Sequence, residues 1–452
     1  MTKLIKFGGS SLANGDQYKK VINIIKKDKT RQIIVLSAPG KRFDDDIKVT
    51  DLLIQYAKAV INKQDYKDIL NNIIGRYKDI ADTYDISDDE FAPIVSIFNN
   101  LPKQKYSNNE YLLAAFKAHG ERMNAKLMSI VLNHLNIKAK FVDPKELGIV
   151  VSKEDPNAAD VLKETYENLG HFGYGNEKLV IPGFFGYTKD GNMATFARGG
   201  SDITGSIIAN GLNIPMYENF TDVSSIYSAN PKIINHPVPI KKMTYREMRE
   251  LAYAGFSVFN DEAIIPAIKG NVTINVKNTN MPDKPGTLIV PEGSFQPEHP
   301  ITGVSSSKHF SALYLHKYLL NKEVGITLKL LQIFQKYNIS YEHMPSGIDD
   351  LTVIFNKESL DKITIKSLCK EIQESIKPDK LNWIDDYAII MVVGEGMRDA
   401  ATTISDIIDP ITNENIPIHM INQGASQISI MIGTREANAN QAVKSIYNEF
   451  FE

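Results

Sequence analysis

MTKLIKFGGSS (Met1–Ser11) is the stretch on which the fold turns. Within it, KLIKF alternates polar and apolar residues, as a short half-exposed strand does. Gly8 and Gly9 then allow a sharp turn and a close approach of the backbone to something bulky. Ser10 and Ser11 bring hydroxyls and backbone N–H groups, and NGDQYKKVINIIKK beyond them has helical spacing. Strand, glycine turn and helix start are the parts of a backbone cradle for an anion such as phosphate. Lys6 adds a point charge. An ordinary tight turn is written the same way, so the stretch needs support from the rest of the chain.

The surrounding sequence supplies an α/β frame. RQIIVLSA is a nearly continuous apolar run ending in small residues, which predicts a buried parallel strand. PGKRFDDDIKV after it is too charged and turn-rich for a core element and reads as a mobile surface loop. Helical spacing dominates from Thr50 to about His134, and strand signals return at AKFVD, KLVIPGFFG and NIPMYENF. Strands separated by helices predict a mostly parallel sheet covered on both faces, with ligands at the carboxyl ends of its strands.

MPDKPGTLIVPEGSFQPEHP is rich in proline and glycine and reads as a linker. Shorter elements follow it. FSALYLHK, ISYEHM and LTVIFN read as strands, with GITLKLLQIFQKY and DKITIKSLCKEIQESI as helices. YAIIMVVG, IPIHMI and QISIMIG are strands, with MRDAATTISDII and EANANQAVKSIYNEFF as helices. Two βαββα units in succession predict duplicated α+β modules. A short strand at ITGVSS fits either one.

Bulk properties narrow the class. A chain of 452 residues is long enough for two or three domains. With 43% hydrophobic and 23% charged residues, it has the balance of a water-soluble globular protein. A net charge of −3 and a pI near 6.3 argue against nucleic acid as a partner. The single cysteine, Cys369, excludes an internal disulfide and a cysteine zinc cluster, and fits a reducing cytoplasm. No apolar run is long enough to span a bilayer, so a cytoplasmic protein without membrane contact is expected.

Three later segments make the opening stretch specific. AHGERM sets His119, Gly120, Glu121 and Arg122 inside an amphipathic helix, where a glycine costs about 1 kcal/mol against alanine. TFARGGSDITGSIIANGL places Arg198 before two glycines, Ser201, Asp202 and a helix of small residues. Ser201 or Asp202 would serve there as a simple helix cap, or the helix start would form a second anion site beside a guanidinium fork. NFTDVSSIYSANPK puts Thr221, Asp222, Tyr227 and Lys232 on a loop after a strand.

KFGGSS, the Ser37–Ala38 pair, HGER, PGFFG, RGGSDITG and TDVSSIYSANPK occur in the order and spacing of the aspartokinases, and the sequence resembles that family along its whole length. The resemblance implies an amino-acid-kinase-like three-layer α/β/α fold over 1–297, with a mostly parallel sheet. Two ferredoxin-like ACT modules would follow at 301–378 and 384–452, separate or interleaved. It implies transfer of the γ-phosphoryl group of ATP to the side-chain carboxylate of L-aspartate, with Mg²⁺ bound mainly through ATP and no metal site on the protein. Lys6, Arg198 and Asp202 are then the catalytic positions. Lys6, Gly8, Gly9, Ser10, Thr221, Asp222, Tyr227 and Lys232 face ATP. Ser37, Thr50, Glu121, Arg198, Ser201 and Asp202 face aspartate.

A lysine or threonine effector is implied for the ACT modules, placed at Gly325, Ser346, Gly347 and Asp349, together with a homodimer through those modules. The sequence departs from the family at Ser257, Asn260 and Asp261, which stand where many members have lysine, histidine and proline. Ser225 and Asn230 replace a glycine and an aspartate in the nucleotide loop. Two alternatives follow: an amino-acid-sensing protein with a degenerate kinase domain, or a kinase of this fold for another amino acid.

Overall fold

The computed structural model describes all residues except Arg198, Ala254, 257–262, Asp399 and Ala401. The first half alternates as the sequence predicts. Strand β1 (Lys3–Phe7) is followed by a 3₁₀ turn over Gly9–Leu12, helix α1 (Gly15–Lys27) and β2 (Arg31–Leu36). Four helices come next: α2 (Val49–Ile61), α3 (Lys67–Asp82), α4 (Asp88–Asn100) and α5 (Asn109–His134). Then come β3 (Ala139–Phe141), α6 (Glu164–His171), β4 (Lys178–Pro182), the hairpin β5 (Phe185–Tyr187) and β6 (Met193–Thr195), α7 (Gly200–Gly211) and β7 (Met216–Thr221). The set closes with β8 (Lys242–Thr244), α8 (Tyr245–Tyr253), α9 (Ile265–Lys269), β9 (Thr273–Asn278) and β10 (Thr287–Val290).

These strands form one eight-stranded sheet in the order β3-β4-β2-β1-β7-β9-β10-β8. Every pairing is parallel except β10 on β9. The supposed linker therefore contributes a strand. Its TLIV segment is flanked by prolines and turns that hide a four-residue element. β1 lies between β2 and β7, so its carboxyl end opens where the connections diverge to the two sides of the sheet. The largest apolar core joins β1 and β2 to α1–α5 through Ile5, Phe7, Tyr18, Tyr77, Phe98 and Phe116.

By density of contact the chain divides into two compact units. One comprises Met1–Ile226, Pro239–Met248 and Ser257–Ser294; the other Tyr227–Val238, Arg249–Phe256 and Phe295–Glu452. The second contains β11 (Gly303–His316), α10 (Ile326–Lys336), β12 (Asp350–Asn356), α11 (Lys362–Ser375), β13 (Lys380–Val393), α12 (Thr403–Asn413), β14 (Met420–Gln423), β15 (Ser429–Thr434) and α13 (Glu436–Phe451). One antiparallel sheet runs β12-β11-β13-β15-β14.

The long strands β11 and β13 pair from Gly303 opposite Val393 to His316 opposite Lys380, with irregular register near Ser307–Phe310. Leu313, Leu330, Phe334 and Leu368 make the core under α10 and α11 at one end. Ile390, Ile407, Val443 and Ile446 make the other, under α12 and α13. ITGVSS and FSALYLHK are thus parts of one continuous strand. YAIIMVVG begins earlier, at Lys380, because the exposed polar alternation KLNWIDD conceals its first half. ISYEHM is not a strand: among the described residues it pairs with β12 through the single bridge His343–Ile354, and Pro345 just after it cannot donate to a ladder, leaving the bridge Ser346–Leu351 separate. The α12 helix starts at Thr403 rather than Met397, and IPIHMI becomes a strand only from Met420.

At the amino-terminal half of the large sheet, Arg31 Nε lies 2.6 Å from Glu218 Oε2, both side chains under 10% exposed. Arg31 also donates from Nη1 to Ile24 O at 2.7 Å and lies over the Phe220 ring. Removing Arg31 leaves buried Glu218, among the described residues, with only the longer contact to Lys3 at 3.8 Å. Arg31→Met is expected to destabilise the protein by about 3 kcal/mol, and the double variant Arg31→Met/Glu218→Met to recover most of that loss. Thermal melting of the two variants checks this; equal loss in both would refute it.

Candidate active site

The carboxyl edge of the sheet collects most of the residues singled out in the sequence. Lys6 is the penultimate residue of β1, only 6% exposed, with Val35 and Asn219 as its strand neighbours. Its Nζ meets Asp202 Oδ1 at 2.6 Å. Asn219 Nδ2 donates to the same oxygen at 2.9 Å. Asp202 stands in the first turn of α7, which is preceded by Gly199 in the left-handed region (φ +80) and has no side-chain cap. Neither Ser201 nor Asp202 serves as the helix cap; both side chains are engaged across the site. Ser201 Oγ and Ser37 Oγ share a hydrogen bond of 2.7 Å, joining α7 to the end of β2.

The turn after β1 has a specific shape. Gly40 N–H donates to Gly9 O at 2.8 Å, and the two backbones cross so closely that a Cβ on Gly40 would lie 2.6 Å from Gly9 C. A Cβ on Gly8 would meet only Lys6 Nζ and Phe220 O, each at 3.8 Å, so the space above the Lys6 ammonium stays open. The cradle is the 3₁₀ turn Gly9–Leu12, with Ser10 exposed. Helix α1 is not part of it, since Asn14 caps that helix through Gln17 N–H at 3.0 Å. The helix that turns its N-terminus toward Lys6 is α7.

Glu121 is 5% exposed on α5. Burial pushes its carboxyl up to about 8, while backbone amides of Ala38 and Glu121 and the ammonium groups of Lys117 and Lys6 pull partly the other way. Its Oε2 has no hydrogen-bond partner among the described residues. A buried carboxyl left unmatched by the protein is a feature of recognition rather than of stability. Gly120 brings it there, for a Cβ at that position would stand 2.9 Å from Ala38 Cβ and 3.1 Å from Leu53 Cδ1.

The other two members of HGER are structural. Burial and the Arg122 cation push His119 down to about 4. Its Nδ1 lies 2.7 Å from Ala115 O, and Arg122 Nη1 approaches its Nε2 at 3.2 Å. Arg122 is held by Asp143 at 2.7 Å.

Thr50 falls in the first turn of α2, whose Val49 N–H donates to Pro39 O at 3.2 Å, so the same loop brings it beside the cradle. That loop is pinned from α3: Arg76 Nη1 donates to Ile47 O at 2.9 Å and meets Asp46 at 3.1 Å. Thr221 ends β7, and its hydroxyl lies 3.1 Å from Asp222 Oδ1. Tyr227 and Lys232 sit on the segment Tyr227–Val238, which packs with the second unit; Lys232 is exposed. Ser225 is buried and donates to Ser224 O at 2.7 Å, and Asn230 Oδ1 accepts from Lys232 N–H at 2.9 Å. Arg198, Ser257, Asn260 and Asp261 lie outside the described residues.

Four supporting residues were missed in the sequence. Asn219 orients Asp202, and Asn124 Nδ2 holds Ser37 O at 2.7 Å. Asn278 Nδ2 holds Asp222 O at 3.0 Å, while Thr279 Oγ1 and Ser11 Oγ are 2.6 Å apart, tying the segment after β9 to the turn after β1. The available signal was the polar pair Glu218–Asn219 inside a buried parallel strand. In the second unit, a cavity of about 360 Å³ is lined by Gly325, Ser346 and Gly347 together with Glu323, Thr327 and Met344. Asp349 does not line it; its Oδ1 accepts from Leu319 N–H at 2.7 Å.

Residues 1–278 match the amino acid kinase family, and residues 390–450 match an ACT domain. The chain is 42% identical over 449 residues to Aspartokinase 3 of Bacillus subtilis (strain 168), covering 99% of this chain and 98% of that one. The crystal structure of Clostridium acetobutylicum aspartate kinase superposes with a TM-score of 0.87 at 37% identity, covering 99% of both chains. E. coli aspartokinase III, solved with aspartate and ADP, shares the fold with a TM-score of 0.79 at 20% identity and full coverage of both chains. The chain belongs to the aspartokinases of the amino acid kinase family.

The raised Glu121 carboxyl has a consequence for stability. Below its ordinary value near 4.5, folded and unfolded forms are both protonated; above it the unfolded form ionises first, so stability is lost as pH rises toward 8. Glu121→Gln removes this loss. Its melting temperature relative to wild type is expected to climb between pH 5 and pH 8. Parallel melting curves across that range would refute the assignment.

Proposed function

We propose that this chain is an aspartate kinase that transfers the γ-phosphoryl group of ATP to the side-chain carboxylate of L-aspartate. The product is 4-phospho-L-aspartate, the first step toward lysine, threonine and methionine. The observation that carries this is the meeting of Lys6–Asp202, Ser37–Ser201 and the unmatched Glu121 at one sheet edge. The full-length likeness to Aspartokinase 3 supports it.

The acceptor carboxylate has an ordinary pKa of about 3.9, so it is already a nucleophile at neutral pH and needs no general base. One of its oxygens forms the bond to the γ-phosphorus as the bond to the β,γ-bridging oxygen breaks, and ADP leaves with that electron pair. The protein supplies alignment and charge neutralisation. Glu121 takes the α-ammonium and Arg198 the α-carboxylate, with Ser37, Thr50 and Ser201 closing the acceptor pocket.

Lys6 and the N–H groups of Gly8, Gly9 and Ser10 face the phosphates, the ammonium exchanging Asp202 for phosphate oxygen. Thr221, Asp222, Tyr227 and Lys232 form the nucleotide side. Mg²⁺ brought in with ATP would supply further neutralisation of the charge that gathers on transfer, beside Lys6.

The reading extends to a kinase domain at 1–297 with ACT modules at 301–378 and 384–452, a homodimer through those modules and a cytoplasmic location. No helix among the described residues is long and apolar enough to cross a membrane. The cavity at Gly325, Ser346 and Gly347 takes a feedback amino acid, lysine or threonine.

Incubation with ATP, Mg²⁺, L-aspartate and hydroxylamine is expected to yield aspartyl hydroxamate, with no hydroxamate from glutamate. Lys6→Met should lower kcat by about 100-fold or more. Saturable aspartate binding without any hydroxamate would overturn the kinase reading. Met344→Trp, which fills the cavity, should raise the effector concentration needed for half-inhibition about tenfold or more.

A further inference from the structure

Lys117 is a half-buried cation on α5, four residues and one turn before Glu121. At that spacing two side chains share a helix face, their Cβ atoms about 6 Å apart. Its Nζ stands 5.7 Å from the centre of the Phe184 ring, and no carboxylate lies within 4 Å of it among the described residues. Phe184 is held with care. It adopts φ +79, a conformation few non-glycine residues take, and its N–H is fixed by Thr204 Oγ1 of α7 at 2.9 Å. Its neighbour Gly183 packs so tightly on Ser201 that a Cβ there would lie 2.6 Å from Ser201 Cβ. The Lys117 ammonium therefore faces the ring that backs the first turn of α7, on the helix face that also carries Glu121.

We propose that Lys117 is a binding residue of the acceptor pocket, its ammonium sharing with Arg198 the α-carboxylate of the amino acid whose α-ammonium Glu121 takes. This rests on the aspartate-kinase reading above and specifies its substrate pocket. The charge balance calls for it. Aspartate brings two carboxylates and one ammonium to a site where, among the described residues, Glu121 and Asp202 face Lys6. ATP adds further negative charge. An additional cation on the acceptor side keeps the loaded site from being strongly anionic and favours the ionised form of Glu121.

The charged groups acting on Lys117 are Glu110, Asp155 and Glu121, and burial lowers its own pKa. Those acting on Glu121 are Lys117 and Lys6, with Tyr77 beside it. Lys117 is thus a charge whose loss must be felt in how Glu121 titrates.

Lys117→Met keeps the stem on the Phe184 ring and removes the charge; Lys117→Arg keeps the charge. Full-length protein is assayed for kcat, for KM of aspartate and of ATP, and by calorimetry for the Kd of aspartate, between pH 6 and pH 9. Lys117→Met is expected to raise KM and Kd for aspartate about tenfold, with kcat and KM for ATP within about twofold of wild type. The acidic rise in aspartate KM should begin at higher pH in this variant, and Lys117→Arg should restore both properties.

Unchanged aspartate affinity and pH profile in Lys117→Met would overturn the proposal. So would a Lys117→Arg protein as impaired as Lys117→Met, which would make the effect one of packing. Should wild type bind aspartate without phosphorylating it, the kinase reading fails, and the calorimetric ratio still decides the role of Lys117.

Discussion

The site is organised by one buried contact, the 2.6 Å pair between Lys6 and Asp202. An ammonium inside a central parallel strand is costly unless a counter-charge meets it with good geometry. Here that counter-charge comes from the first turn of α7, so pairing it fixes the helix against the sheet. Asn219 steadies Asp202 from β7, and Ser201 reaches Ser37 at the end of β2. One helix N-terminus is thereby registered on three strands. The same pair makes chemical sense of the resting site, because a carboxylate can hold the lysine in place until a better anion arrives.

Around that pair, the molecule divides its polar residues between scaffold and recognition. His119 and Arg122 are satisfied by Ala115 O and Asp143 and shape α5. Glu121, between them in sequence, leaves Oε2 without a partner among the described residues, and burial raises its carboxyl despite the backbone amides of Ala38 and Glu121. The glycines serve the same division. Gly9 and Gly40 let two loops cross beside Lys6, and Gly120 lets α5 pack closely on Ala38 and Leu53, next to Glu121.

Much of this was written locally. KLIKFGGSS predicted both the strand and the open turn after it, and the clustering of Lys6, Ser37, Glu121, Ser201 and Asp202 follows from motifs at strand ends and helix starts. What escaped the sequence depends on partners distant in the chain. Asn124, Asn219 and Asn278 act by holding other residues, and an asparagine in a helix or strand carries no local mark of what it will touch. The role of α7 in place of α1 was hidden because a 3₁₀ turn over Gly9–Leu12 separates the glycines from α1, which Asn14 caps locally. In the second unit, β11 and β13 run through both α/β layers, so their half-exposed stretches KHF and KLNWIDD looked like connections. Pro345 explains the opposite error, a strand pattern in ISYEHM whose backbone cannot sustain a ladder.

The central claim is that Glu121 waits protonated and ionises when it receives the ammonium of aspartate. Calorimetric titration with L-aspartate at pH 7, in buffers of different ionisation enthalpy, counts the protons exchanged. A carboxyl at about 8 that ionises on binding predicts release of about one proton per site, abolished in Glu121→Gln. Binding with no proton exchange would contradict the account, because the pocket would then recognise aspartate without changing the charge of Glu121.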